Sequence, residues 1–203
     1  MIDERFVFLA AALNMLGAAS YLIGTVRGTV SPNRVTWFIW AAAPLIAFAA
    51  MMQEGVGLPA LMTFMVGFNP LLIFLASFIN KHAVWRLGRL DIICGLLSLA
   101  GLGLWFVTRE GDVAIVFGIF ADALAAVPTI VKAYREPSTE DPKLYLLSSM
   151  SAGITMLTLK TWDVATAGFP GYILAVSAFI FALLRFNKPL QGIVGAREDR
   201  PGR

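Results

Sequence analysis

The sequence predicts an all-α membrane protein with seven transmembrane helices, arranged as two parallel three-helix repeats joined by a linker helix (3+1+3). Three observations predict it: too few charges to cover a water-facing surface, seven apolar runs cut by short polar breaks, and recurrence of the first three runs in the last three. Of 203 residues, 58% are hydrophobic and only 14% charged, whereas a soluble domain carries about 25% charged residues. Mean hydropathy is +0.75. A bilayer core about 30 Å thick takes about 20 apolar residues per helix, so seven spans leave room for connections and no separate soluble domain.

In chain order the runs predict helices at 6–27, 35–52, 57–79, 90–107, 113–134, 144–160 and 167–185. The breaks are turn-like: Gly28 to Arg34, Gln53-Glu54-Gly55, Lys81 to Arg89, Arg109 to Asp112, Glu136 to Lys143 and Thr161-Trp162-Asp163. The expected organisation is a first repeat over 1–80, a linker helix within 81–112, a second repeat over 113–186 and a disordered cytoplasmic tail over 187–203. No cleavable signal peptide is evident. Cys94 is the only cysteine and sits in an apolar run, so no internal disulfide is expected.

Charge sets the expected orientation. The amino-terminal side of the membrane holds Arg5, Arg109 and Lys160, and the other side holds the remaining Lys and Arg, a split of 3 to 13. The positive-inside rule puts the rich side in the cytoplasm, with the amino terminus outside, in the inner (plasma) membrane of a bacterium. A net charge of +3 then reflects membrane orientation, and no nucleic-acid partner is implied.

The repeat is read from order and spacing. An offset of 108 pairs Asn14 with Asp122 and Arg27 with Arg135; after a two-residue insertion Pro32 pairs with Pro142; Gly57-Leu58-Pro59 then pairs with Gly168-Phe169-Pro170 at the openings of helices 3 and 7. Parallel repeats about an axis along the membrane normal belong to a transporter architecture whose site lies between the halves.

Polar residues inside apolar helices are the candidates for function. Asp122 stands out, because an ionised carboxylate at the bilayer centre costs about 2.5–3.5 kcal/mol. It would carry protons or hold a solute; the structural alternative is a carboxylic acid bonded to Asn14 or to a Ser of helix 6. Asn14 and Asn69 would bind solute hydroxyl or amide groups, or tie helices together. Trp37 and Trp40 share a helix face. Trp37, Trp85 and Trp162 suit an interfacial belt, while Trp40, a turn deeper, would line a solute site. Ser149, with Thr36, Ser148 and Ser151, adds hydroxyls or permits close helix approach. Arg27, Lys132 and Arg135 end helices where a cation complements the dipole and anionic headgroups. The small residues Gly95, Ala100, Gly101 and Gly103 of helix 4 would serve a homo-oligomer or internal contacts.

The segment Ala126-Val127-Pro128-Thr129-Ile130-Val131-Lys132-Ala133-Tyr134-Arg135, its acidic Pro-containing loop, and Leu147-Ser148-Ser149-Met150-Ser151-Ala152-Gly153 resemble the SWEET/PQ-loop superfamily over roughly residues 6–186. A nearer likeness is to bacterial seven-helix members carrying a segment like Asn33-Arg34-Val35-Thr36-Trp37-Phe38-Ile39-Trp40. The resemblance implies a small-solute transporter, facilitator or proton-coupled, working by alternating access, with hinge prolines at Pro44 and Pro128. Where the family's motif has Pro-Gln, this chain has Pro128-Thr129. Of the family's sugar-contacting Asn pair only Asn69 is matched, its partner at an offset of 111 being Ile180. The Trp pair is also similar to the aromatic site of nicotinamide riboside transporters. The expected partners are therefore the lipid bilayer and a small-molecule solute, either a sugar or an aromatic, vitamin-like nucleoside. A non-transporting receptor or scaffold on the same fold is the alternative.

No enzyme, cofactor or metal is expected. His82 is the only histidine, which leaves no His-based triad or paired-His metal site. A retinal-type Schiff base would need a Lys deep in helix 7, and none is there.

Overall fold

The computed structural model describes residues 2–53, 55–58, 60–80, 85–108 and 111–186. Among these the chain forms seven α-helices and no strand: α1 (Phe6–Arg27), α2 (Arg34–Gln53), α3 (Ala60–Ala76), α4 (Arg89–Thr108), α5 (Gly111–Arg135), α6 (Pro142–Thr158) and α7 (Val164–Phe186). One 3-10 turn, Pro137–Thr139, lies between α5 and α6. Every helix end falls within three residues of its expected place. Two openings differ from expectation. Pro142 is the first residue of α6, where its missing N–H is no loss, and Pro170 lies inside α7, which starts earlier at Val164. The tail 187–203 and the loop residues Lys81 and His82 lie outside the described residues.

The helices are apolar on more than one face. In α1 the buried residues Val7, Ala10, Ala11, Asn14, Gly17, Ala18, Tyr21, Gly24 and Thr25 repeat at three and four, forming one inward stripe. Its opposite face carries the exposed apolar residues Phe8, Leu9, Leu16 (61% exposed) and Ile23. A helix apolar all round needs protein or lipid on every side. Three helices, Phe6–Arg27, Ile115–Arg135 and Thr166–Phe186, are long and apolar enough to cross a membrane; Arg34–Ala49 and Ala60–Ala76 are apolar but shorter. α6 is weaker still, with 17 residues that include Ser148, Ser149, Ser151, Thr155 and Thr158.

Neighbour relations fall into a closed order. α3 packs against both α1 and α2, and α7 against both α5 and α6; α1 runs along α6, and α2 along α5. α4 packs on α5 and touches α2. The α1–α6 crossing is close at Gly17, where an added Cβ would sit 3.2 Å from the Leu144 backbone. At the α2–α5 crossing, Thr36 Oγ1 donates to the Ala125 carbonyl at 2.9 Å. These two crossings involve matching positions, since Gly17 and Ala125, like Thr36 and Leu144, stand 108 residues apart.

The helix starts keep the same offset. Asn33 caps α2, its Oδ1 accepting from the Val35 N–H at 3.1 Å, and Asp141 caps α6, its Oδ1 accepting from the Lys143 N–H at 2.9 Å. The two-residue insertion expected between Pro32 and Pro142 is therefore not present at the caps: Asn33 answers to Asp141. Each cap also reaches a neighbouring helix. Asn33 Nδ2 donates to Asp91 Oδ1 of α4 at 2.5 Å, and Ser20 Oγ of α1 donates to Asp141 Oδ2 at 2.5 Å.

Candidate functional site

A cavity opens at the centre of the six helices α1–α3 and α5–α7, and α4 contributes nothing to its wall. Its volume is about 60 Å³. That is room for a few waters, and a larger solute requires the walls to part.

The wall residues come in matched positions. Asn14 and Asp122, Trp37 and Tyr145, and Trp40 and Ser148 each stand 108 apart; Val66 and Ile173, Asn69 and Val176, Pro70 and Ser177, and Ile73 and Ile180 each stand 107 apart. Leu144 alone has no lining counterpart. Asn69 thus answers to Val176, and Ile180 answers to Ile73, contrary to the offset of 111 expected from the Gly-x-Pro openings.

Of the residues singled out in the sequence, Asn14, Trp40, Asn69 and Asp122 meet in this cavity. Asn69 Nδ2 donates to Asn14 Oδ1 at 2.7 Å, and Asn14 Nδ2 donates to Ser148 Oγ at 3.3 Å, a chain across α3, α1 and α6. Asp122 is 2% exposed and bonds to neither Asn14 nor a Ser of α6. Its Oδ2 instead accepts from the Tyr172 hydroxyl of α7 at 2.7 Å, and its Oδ1 has no partner. Trp40 Nε1 donates to the Asp122 backbone carbonyl at 3.4 Å, joining α2 to α5.

Ser149 does not line the cavity. Its hydroxyl bonds back to the Leu146 carbonyl at 2.8 Å, and Ser148, one residue and about 100° around the helix, takes the wall position. Trp37 is no belt residue. It is 2% exposed, its ring 4.7 Å from Tyr21 and 5.3 Å from Trp40, centroid to centroid. Trp162, in contrast, is exposed. Pro44 and Pro128 lie inside α2 and α5; each leaves a carbonyl one turn earlier without its N–H partner.

Lys132 differs most from expectation. It faces no headgroup: it is buried, its Nζ 2.6 Å from Glu140 Oε1, with side-chain exposures of 0% and 1%. Nζ also bonds the Ser31 carbonyl of the α1–α2 loop and the Thr139 carbonyl at 3.4 Å. Glu140 Oε2 accepts from Tyr145 OH at 2.8 Å, and Tyr145 is itself a cavity residue. Tyr145 thus links one end of the cavity wall to a buried ion pair tied to both loops. Toward the other end, Val7, Met62, Ala152, Phe169 and Ile173 form a purely apolar cluster.

Tyr172, Tyr145 and Glu140 were not legible as site residues. The usable signal for the tyrosines was a phenol within an apolar helix, which must find a partner when buried. Among the described residues no group of three or more His, Cys, Asp or Glu side chains is placed to hold a metal ion. Asp122 is the only acid and no base is present among the described residues of the cavity wall. Comparison of the chain with protein-family models, curated proteins and solved structures returned no match.

Proposed function

We propose that this chain is an integral membrane transporter for a small polar or aromatic solute, working by alternating access between two parallel three-helix units, α1–α3 and α5–α7, with α4 as the linker. The observation that carries this reading is the cavity itself. A water-sized void at the meeting point of six helices, walled by Asn14, Asn69, Trp40 and Asp122, concentrates polar groups where burial is most costly. A scaffold gains nothing from leaving a buried carboxylate oxygen without a partner.

The matched wall positions support two units related about an axis between them. The two ends of the cavity then act as gates, one apolar and one built on Lys132–Glu140, with Pro44 and Pro128 as the points where α2 and α5 bend. All seven helices span the bilayer in this reading, the shorter ones with hydroxyl-rich faces turned inward. The amino terminus is outside and the Lys132–Glu140 end is cytoplasmic, because the basic residues gather on that side.

The test is uptake into proteoliposomes of labelled sugars, nucleosides and small amines at two pH values. Wild-type protein is expected to move at least one solute faster than empty liposomes, and Asp122→Asn to slow that flux by about tenfold or more. A pH dependence unchanged in Asp122→Asn would refute proton coupling through this residue. Flux equal to empty liposomes for every solute, with correctly folded protein, would replace transport with a receptor or scaffold role.

A further inference from the structure

We infer that the solute of this cavity is an organic cation, held by Asp122 and faced by the indole of Trp40. The inference rests on the transport reading for its location and on charge for its content. Asp122 lines the cavity, its Oδ1 is buried without a partner, and Tyr172 supplies one neutral donor to Oδ2. A buried carboxylate calls for a positive partner, and the described residues of the wall provide none.

Two cations on the helices that wall the cavity, Lys132 of α5 and Arg34 of α2, are already committed. Lys132 is bound to Glu140 and two carbonyls. Arg34 donates to Ser77 Oγ and to the Ser77 carbonyl, with its guanidinium 4.2 Å from the Phe78 ring centroid. Among the described residues of the wall no positive charge completes the site.

The rest of the wall favours an organic cation over a metal ion. Hard cations take six or more oxygen ligands, whereas the wall offers one carboxylate, with the oxygens of Asn14 and Ser148 already accepting hydrogen bonds, among Trp37, Trp40 and aliphatic side chains. Indole faces attract weakly hydrated ammonium or pyridinium groups within about 6 Å. The Asn14–Asn69 amide pair then remains for a hydroxyl or amide elsewhere on the same solute.

The deciding experiment measures binding to the full chain in nanodiscs, using labelled choline as the probe and competing it with neohexyl alcohol, its uncharged carbon isostere. Choline is expected to bind saturably and the alcohol at least about tenfold more weakly. Asp122→Asn is expected to weaken choline by about a hundredfold, and Trp40→Leu by about tenfold. Equal affinity for choline and the alcohol, or no saturable choline binding, overturns the inference. So does displacement of choline on replacing potassium by sodium at equal ionic strength, which would assign the carboxylate to an alkali ion. Should Asp122→Asn fail to fold, the two ligands on wild-type protein still decide. Binding and flux separate the two readings: choline bound without flux of any solute keeps the cation site and removes transport, whereas flux of a neutral solute without choline binding does the reverse.

Discussion

The two halves of the molecule present the same wall positions and fill them with different chemistry. α1–α3 supplies amides and indoles at Asn14, Trp37, Trp40 and Asn69; α5–α7 supplies a carboxylate, a phenol and hydroxyls at Asp122, Tyr145, Ser148 and Ser177. The connections differ as well. Gly28, in the left-handed region at φ 78, ends α1 with the Thr29 N–H and hydroxyl both returned to the Gly24 carbonyl, so the α1–α2 loop closes without any charge of its own. The α5–α6 loop instead turns through Pro137–Thr139 to drop Glu140 onto Lys132. At the offset of 108 the first half has Gly24 and Pro32 in those places. A shared backbone plan thus carries a neutral, shape-reading half and a charged half, and the charge difference is where perturbation should bite.

The largest effect is expected from breaking the buried pair. Lys132→Met leaves Glu140 buried without its cation, a loss of about 3–5 kcal/mol, seen as a lower unfolding temperature in detergent. Lys132→Met combined with Glu140→Leu should recover most of that loss, because two apolar side chains carry no stranded charge. A double variant as unstable as the single one would mean that the carbonyl contacts to Ser31 and Thr139, rather than the pair, hold this end together.

A smaller effect tests whether the halves are equally tight. A Cβ at Gly67 would lie 2.7 Å from Leu45 Cγ and 2.9 Å from Leu45 N, and backbone cannot yield, so α2 and α3 must separate. In the other half a Cβ at Gly153 of α6 meets Leu174 Cδ1 at 3.9 Å, an ordinary contact. Gly67→Ala is expected to cost about 1–3 kcal/mol by overpacking. Gly153→Ala should be neutral or stabilising by about 0.5–1 kcal/mol, since Ala is the better helix former. Equal destabilisation by the two would show that α6–α7 is as closely opposed as α2–α3.

Helix limits were readable because charges, Gly and Pro bracket each apolar run, and polar groups such as Asn14, Asn69 and Asp122 stood out against their neighbours. The facing of each helix was not. A helix apolar all round carries little periodic signal, so Ser148 could not be told from Ser149, nor Trp37 in the interior from Trp37 in a belt. The burial of Lys132 is hidden from the sequence for another reason. Its partner lies eight residues on, beyond a helix end, and only the 3-10 turn brings Glu140 back to it. The role of Tyr172 has no local signal, because its partner Asp122 lies 50 residues away on another helix. Matched offsets were legible in kind but shifted in register, since prolines open helices at different depths in the two halves.

The smallest effect comes from the second ion pair, which looks like the first on distance alone. Lys160 Nζ lies 2.8 Å from Glu4 Oε2, close to the 2.6 Å of Lys132–Glu140, but its side chains are 73% and 46% exposed. The neighbouring Glu4 carboxylate holds the Lys160 ammonium above the ordinary lysine range, first by hydrogen bond and then by charge. Water and salt already stabilise both partners, however, and two long side chains lose freedom on pairing. Glu4→Gln is therefore expected to leave the unfolding temperature and its salt dependence unchanged. A clear loss of stability, relieved in high salt, would mean that the α6–α7 connection is clamped to the chain's beginning as firmly as α5 is clamped to its loop, and the contrast between a buried and an exposed ion pair would not hold for this protein.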